Sequence, residues 1–259
     1  MRTTISDGVW PTMITPYTES NTVDYCALRD LVEWYIAREV DGLFAVCQSS
    51  EMFFLSLDEK VSIARHVVKT ANGRVPVVAS GHTSQELMPQ LRELKAMADT
   101  GIDALVLVVN RLAEEKDSEE VWKRKAEIIL NELPDIQLGL YECPYPYKRL
   151  LSPELLGWCA STGRIVFLKD TSCDVNDIKD KVEAVRGRGI KVFNANAATL
   201  LESLGVGASG YSGVMANFHP ELYVWLMRNW REEPKAAREL QSFLGVASLI
   251  ERQSYPTNA

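Results

Sequence analysis

The sequence predicts one α/β domain closed into a (β/α)8 TIM barrel, with a short helical extension at its C-terminal end. Three observations lead there. Short β-branched or apolar runs alternate with longer amphipathic stretches along the whole chain. The short runs are almost continuously apolar, as in parallel strands covered on both faces. Eight such strand–helix pairs occupy about 230 residues, the count and size of this barrel. The competing doubly wound sheet would carry a glycine-rich dinucleotide turn after an early strand, and none is present.

In order, the first unit pairs VWPTMIT (9–15) with the helical pattern YCALRDLVEWYIAR (25–38). GLFAVC (42–47) precedes SLDEKVSIARHVVKTA (56–71), and VPVVAS (75–80) precedes SQELMPQLRELKAMADT (84–100). DALVLVV (103–109) leads to SEEVWKRKAEIILNEL (118–133), IQLGLY (136–141) to SPELLGWCAS (152–161), and IVFLK (165–169) to VNDIKDKVEAVRG (175–187). The last two units are IKVFN (190–194) with ATLLESLG (198–205), and ASGYSG (208–213) with PELYVWLMRNW (220–230). A further helical pattern covers 234–252, so residues 1–230 are expected to form the barrel and 231–259 a helical appendix.

The bulk properties bound the function. Of 259 residues, 46% are apolar and 24% charged, and the net charge is −7. No basic run or stripe appears, which argues against a nucleic-acid partner. Five cysteines without a C-x-x-C pair read as reduced thiols. Neither a secretory h-region nor an apolar run of about 18 residues occurs, so a soluble cytoplasmic protein without a membrane partner is expected.

In a barrel, chemistry is carried by groups at the C-terminal ends of the strands. Lys169 ends the sixth strand run and Tyr141 the fifth; Ser49, Ser50 and Glu51 follow the second, and Asn194 and Asn196 the seventh. A lysine placed there condenses with a carbonyl only as the free amine. Bringing its pKa from about 10.4 to ~7 requires roughly 4.6 kcal/mol of destabilisation of the ammonium, which burial supplies. A nearby phenol can move protons to and from a hydroxyl on a breaking C–C bond. Taken singly, Lys169 equally suits a salt bridge with Asp170, and Tyr141 a core position with one satisfied hydroxyl. Their pairing on adjacent strands favours catalysis. Of the three histidines, His66 lies within a helix, His219 opens one, and only His82 falls near the mouth, so no metal-ligand set is apparent. With no phosphate-cradling or dinucleotide fingerprint, no cofactor is expected.

GVWPTMITPYTESNTVD, VDGLFAVCQSSEMFFLSLDEK, YECPYPYKRLLSPELL, IVFLKDTS and GASGYSGVMANFHPEL together resemble the dihydrodipicolinate synthase/N-acetylneuraminate lyase family. These are class I, Schiff-base aldolases on a (β/α)8 barrel. The resemblance spans about Gly8 to Pro220. It implies that Lys169 is the Schiff-base lysine and Tyr141 the proton-relaying phenol. Ser49 falls on a hydroxyl position of the G-[TS]-[TS]-G-E loop that binds the keto-acid carboxylate.

The chain departs from that pattern at four places. Cys47 and Ser50 replace both glycines of the loop and Gln48 its first hydroxyl residue, which reduces backbone approach; either Ser50 compensates with its hydroxyl, or the loop binds the keto acid differently or not at all. Leu112 and Ala113 stand where a tyrosine is lent to a neighbouring subunit, and Arg111 there either binds a substrate carboxylate or makes a solvent-facing salt bridge. Pro146 replaces the arginine that the synthase branch uses for a second carboxylate. Lys148 or Arg149 either substitutes for it or is a solvated loop charge. Glu142 either bonds a sugar hydroxyl or faces water. Asn194 and Asn196 stand at positions usually Gly and Asp. With Tyr211 on the eighth strand run, Ser49, Ser50, Arg111, Glu142 and Asn194 make up the expected substrate-binding set. Family chains also continue through two more C-terminal helices that assemble a tetramer, so the appendix is expected to be incomplete and the homo-oligomer is in question.

The leading expectation is a lyase acting on a small 2-oxo acid through a Lys169 imine, cleaving a 2-keto-3-deoxy sugar acid. The alternatives are a synthase or dehydratase of the same family, and a non-catalytic keto-acid-binding barrel.

Overall fold

The computed structural model describes residues 5–133 and 135–256. Eight parallel strands form one sheet: β1 (Gly8–Val9), β2 (Leu43–Phe44), β3 (Val77–Ala79), β4 (Ala104–Val108), β5 (Gln137–Tyr141), β6 (Ile165–Asp170), β7 (Lys191–Asn194) and β8 (Gly210–Tyr211). The ladder runs β1-β8-β7-β6-β5-β4-β3-β2. The remaining gap closes through a parallel bridge between Thr12 and Phe44, where Met13 N donates to Phe44 O and Phe44 N to Pro11 O, each at 3.0 Å. The sheet is therefore a barrel.

Helices alternate with the strands outside: α1 (Tyr25–Ala37), α2 (Leu57–Ala71), α3 (Leu87–Ala98), α4 (Glu119–Glu132), α5 (Pro153–Ser161), α6 (Val175–Ala184), α7 (Leu200–Gly205) and α8 (Pro220–Asn229). A ninth helix, α9 (Pro234–Ala247), and a 3-10 turn (Ser248–Arg252) follow. Local chemistry sets the helix starts. Ser56 and Glu59 form a reciprocal capping box on α2, and α5, α8 and α9 open on proline, whose missing N–H has no helical partner at that position anyway.

The first strand is shorter than the 9–15 run suggests. Pairing to β8 ends after Val9 and Trp10, Pro11 O accepts Phe44 N on the other side, and the chain bridges to β2 through Thr12. The seam with β8 is tight. A Cβ on Gly210, at φ +152°, would lie 1.9 Å from the Gly8 carbonyl, so only glycine fits there.

Rings from opposite and neighbouring strands meet inside the barrel. Phe44 contacts Phe167 and Tyr141 at 6.0 and 5.7 Å between centroids, and Phe167 stacks on Phe193 at 4.8 Å. This aromatic layer is the floor on which the residues at the strand ends stand. Among the described residues, no helix is long and apolar enough to cross a membrane.

Candidate active site

Successive residues of a strand point to opposite faces, and β5 and β6 use this twice. In register, Tyr141 is the partner of Lys169. Both point into the barrel, two residues beyond the layer that holds Phe167. Lys169 is 3% exposed, with its Nζ 4.4 Å from the Tyr141 ring centroid and 5.9 Å from that of Phe44. Among the described residues no carboxylate lies within ion-pair distance of it. Burial outweighs the opposing pull of Cys47, Cys143 and Glu251 and holds its pKa below the ordinary 10.5. The same burial raises the Tyr141 phenol well above 10, so in the free protein it is neutral.

The next residue on each strand faces outward. Glu142 and Asp170 converge on the fully buried Lys181 of α6, at 2.7 and 2.6 Å, and Asp177 reaches it at 2.7 Å. Glu142 also accepts from Leu151 N and Thr171 N. Burial, and then the neighbouring Asp170, push the Glu142 carboxyl up to about 8 against the pull of Lys181. This cluster decides two open points. Asp170 is engaged by Lys181 rather than by Lys169, and Glu142 braces the outside of the barrel rather than facing substrate or water.

A cavity of about 560 Å³ opens above Lys169, lined also by Tyr141, Gln48, Lys148, Thr171 and Asn196. Gln48 Oε1 accepts the Tyr141 hydroxyl at 3.4 Å and the Cys143 thiol at 3.3 Å. Ser49 stands beside it and donates to Thr12 Oγ1 at 3.1 Å. Two further lining residues, Glu251 and Tyr255, come from the segment after α9, with the Tyr255 hydroxyl 3.0 Å from Ser49 Oγ. Nothing in the composition or periodicity of SYPTNA pointed to this segment.

The other expected contacts lie elsewhere. The Ser50 hydroxyl is buried in its own loop, donating toward Met13 O and Ala45 O at 2.7 and 2.8 Å and accepting Cys47 N, so it braces the loop instead of reaching a carboxylate. Asn194 donates to Thr199 and Ser203 and accepts Asn196 N, which ties down the turn after β7. Tyr211 stacks on Tyr223 at 4.3 Å beneath the mouth, separated from it by Gly213. Arg111 lines a second cavity of about 170 Å³ with Lys125, Glu114 and Tyr147, its guanidinium 5.1 Å from the Phe53 ring. His82 is buried, accepts Val108 N, and is pushed down to about 3 by burial and nearby cations. Among the described residues no group of three metal-ligating side chains occurs.

A desolvated amine beside a phenol at the mouth of a (β/α)8 barrel defines a class I, Schiff-base lyase. The chain belongs to the dihydrodipicolinate synthetase family, whose model matches residues 5–252. It is 31% identical over 241 residues to a 4-hydroxy-tetrahydrodipicolinate synthase of Natronomonas pharaonis, covering 92% of this chain and 80% of that one. A synthase of the same name from Clostridium perfringens is 27% identical over 209 residues, covering 81% and 70%. Among solved structures, a chloride-inhibited dihydrodipicolinate synthase from Acinetobacter baumannii complexed with pyruvate superposes with a TM-score of 0.88 at 26% identity, over 98% of this chain and 86% of that one.

Proposed function

We propose that this chain cleaves a 2-keto-3-deoxy sugar acid to pyruvate and an aldehyde through an imine on Lys169. The observation that carries this is the pairing of Lys169 with Tyr141 under one cavity, with the amine desolvated and without a carboxylate partner. Lys169 condenses with the C2 carbonyl and water leaves. The phenolic proton of Tyr141 goes to the departing hydroxyl to make that water, and the positive iminium so formed beside the ring stabilises the phenolate. Tyr141 then takes the proton of the C4 hydroxyl as the C3–C4 bond breaks. The bonding electrons pass to the imine as an enamine, which is protonated at C3 and hydrolysed to pyruvate.

The sugar-acid assignment rests on the rim. Its residues include Pro144, Ala195, Gly213 and Val214, and its exposed cation, Lys148, donates to Thr171 O at 2.6 Å. Pro146 stands where the synthase branch has an arginine for a second carboxylate. The second reading, a synthase that condenses pyruvate with a semialdehyde, is favoured by the names of the relatives. Dehydration of the same sugar acids would use the same enamine. Five free thiols support a reducing, cytoplasmic setting, and assembly into a homo-oligomer is proposed from the family resemblance.

Borohydride trapping with pyruvate, read by intact mass and peptide mapping, tests the imine. Reduced pyruvate on the peptide bearing Lys169, absent in Lys169→Ala, is expected. No adduct with any 2-oxo acid overturns the lyase in favour of a non-catalytic barrel. Cleavage of 2-keto-3-deoxygluconate, measured against condensation with the semialdehyde, then separates the two readings.

A further inference from the structure

The segment after α9 is seated by specific contacts. Gln241 on α9 donates to the carbonyls of Ala197 and Ala198 and accepts Leu201 N, which fixes the helix beside the turn after β7. From there the 3-10 turn Ser248–Arg252 carries the chain over the mouth, and Tyr255 descends onto Ser49. A cavity of about 560 Å³ remains with Tyr255 as one of its walls. The segment therefore borders the space above Lys169 without filling it.

Proton counting gives the Tyr255 hydroxyl a direction. A serine hydroxyl has one proton, and that of Ser49 is donated to Thr12 Oγ1 at 3.1 Å. The 3.0 Å contact between Ser49 and Tyr255 must then be a donation from Tyr255 to Ser49. The phenolic oxygen is left with lone pairs and no proton to offer the cavity. Burial raises its pKa, so it keeps that proton at neutral pH. In a desolvated wall, such an oxygen is matched by a hydroxyl donor on the ligand.

We infer that Tyr255 is a specificity-determining residue that accepts a hydrogen bond from a hydroxyl group on the aldehyde portion of the substrate. The site so completed draws Lys169, Tyr141, Ser49 and Tyr255 from a single chain. This inference rests on the Schiff-base reading and adds to it the residue that reads the hydroxyls of the aldehyde.

The test compares pyruvate addition to glyceraldehyde and to propanal, which has the same carbon skeleton without hydroxyls, in the wild type and in Tyr255→Phe. The wild type is expected to favour glyceraldehyde. Tyr255→Phe is expected to lower kcat/KM for glyceraldehyde about tenfold or more relative to its effect on propanal, because the contact with Ser49 is lost with either aldehyde and only glyceraldehyde also loses its own hydrogen bond. Trapping at saturating pyruvate should persist in the variant, since Lys169 and Tyr141 are untouched. Equal losses for both aldehydes, or no preference for glyceraldehyde in a wild type that traps pyruvate, overturns the role of Tyr255. A wild type that fails to trap pyruvate instead overturns the Schiff-base reading beneath it.

Discussion

Tyr141 and Lys169 are register partners on β5 and β6, and the lysine Nζ lies 4.4 Å from the centre of the tyrosine ring. The ladder itself holds amine and phenol together, so neither depends on a mobile loop for its position.

This pairing separates two steps that Tyr141→Phe should resolve. The variant keeps the ring that walls the amine and loses only the hydroxyl. Borohydride trapping of pyruvate should survive, while kcat for C–C cleavage falls by about 10²–10⁴, the range for a lost acid–base group. Loss of trapping to the same extent as cleavage would contradict a role in proton transfer.

Lys169 should cost stability, with a defined pH dependence. Its folded pKa is lowered, so between the folded value and the ordinary 10.5 the unfolded chain binds more protons and stability rises with pH. The penalty is complete below the folded pKa and vanishes above 10.5. Lys169→Met should thus be more stable than the wild type at pH 7, by about 1–2 kcal/mol, with the difference shrinking toward pH 10.5. Urea denaturation at several pH values reads this directly.

Lys181 contacts three acidic side chains from a fully buried position. Lys181→Met leaves Glu142 and Asp170 without their cation and should destabilise the fold by about 3–5 kcal/mol. Since both acids adjoin site residues on β5 and β6, imine formation should slow as well. A midpoint unchanged in chemical denaturation would rule out this bracing role.

Arg111 lines a cavity that does not include Lys169. Arg111→Ala should leave pyruvate trapping within about twofold of the wild type, as expected for sites without shared partners. A large rise in the pyruvate concentration needed for trapping would return Arg111 to the substrate.

The Ser50 hydroxyl bridges two carbonyls and Cys47 N within a buried loop. Ser50→Ala should cost about 1–3 kcal/mol in denaturation experiments, the penalty for stranding buried polar groups. Trapping at saturating pyruvate should persist.

The barrel was legible because buried parallel strands must be apolar on both faces, a pattern that survives in a single sequence. Lys169 and Tyr141 were legible for the converse reason: a polar group that ends such a strand stands out. What stayed hidden depends on tertiary direction. Glu142 read like a site residue and Asp170 like a partner for Lys169 because each adjoins a site residue, and only strand alternation, with Lys181 waiting on α6, turns them outward. Ser50 and Asn194 lie in loops after the right strands, but their polar atoms are taken by backbone and neighbouring side chains. Strand one ended early because its partner changes from β8 to β2 within the apolar run, which the run itself does not reveal. Tyr255 gave no signal, since its partner Ser49 is 206 residues away.

That separation also sets an order of events during synthesis. The strands bearing Lys169 and Tyr141 leave the ribosome and can pair while the C-terminal segment is still being made. The wall contributed by Tyr255 can form only once that later segment has emerged. A nascent barrel can therefore hold its reactive amine in place before the side of the cavity that Tyr255 walls is complete.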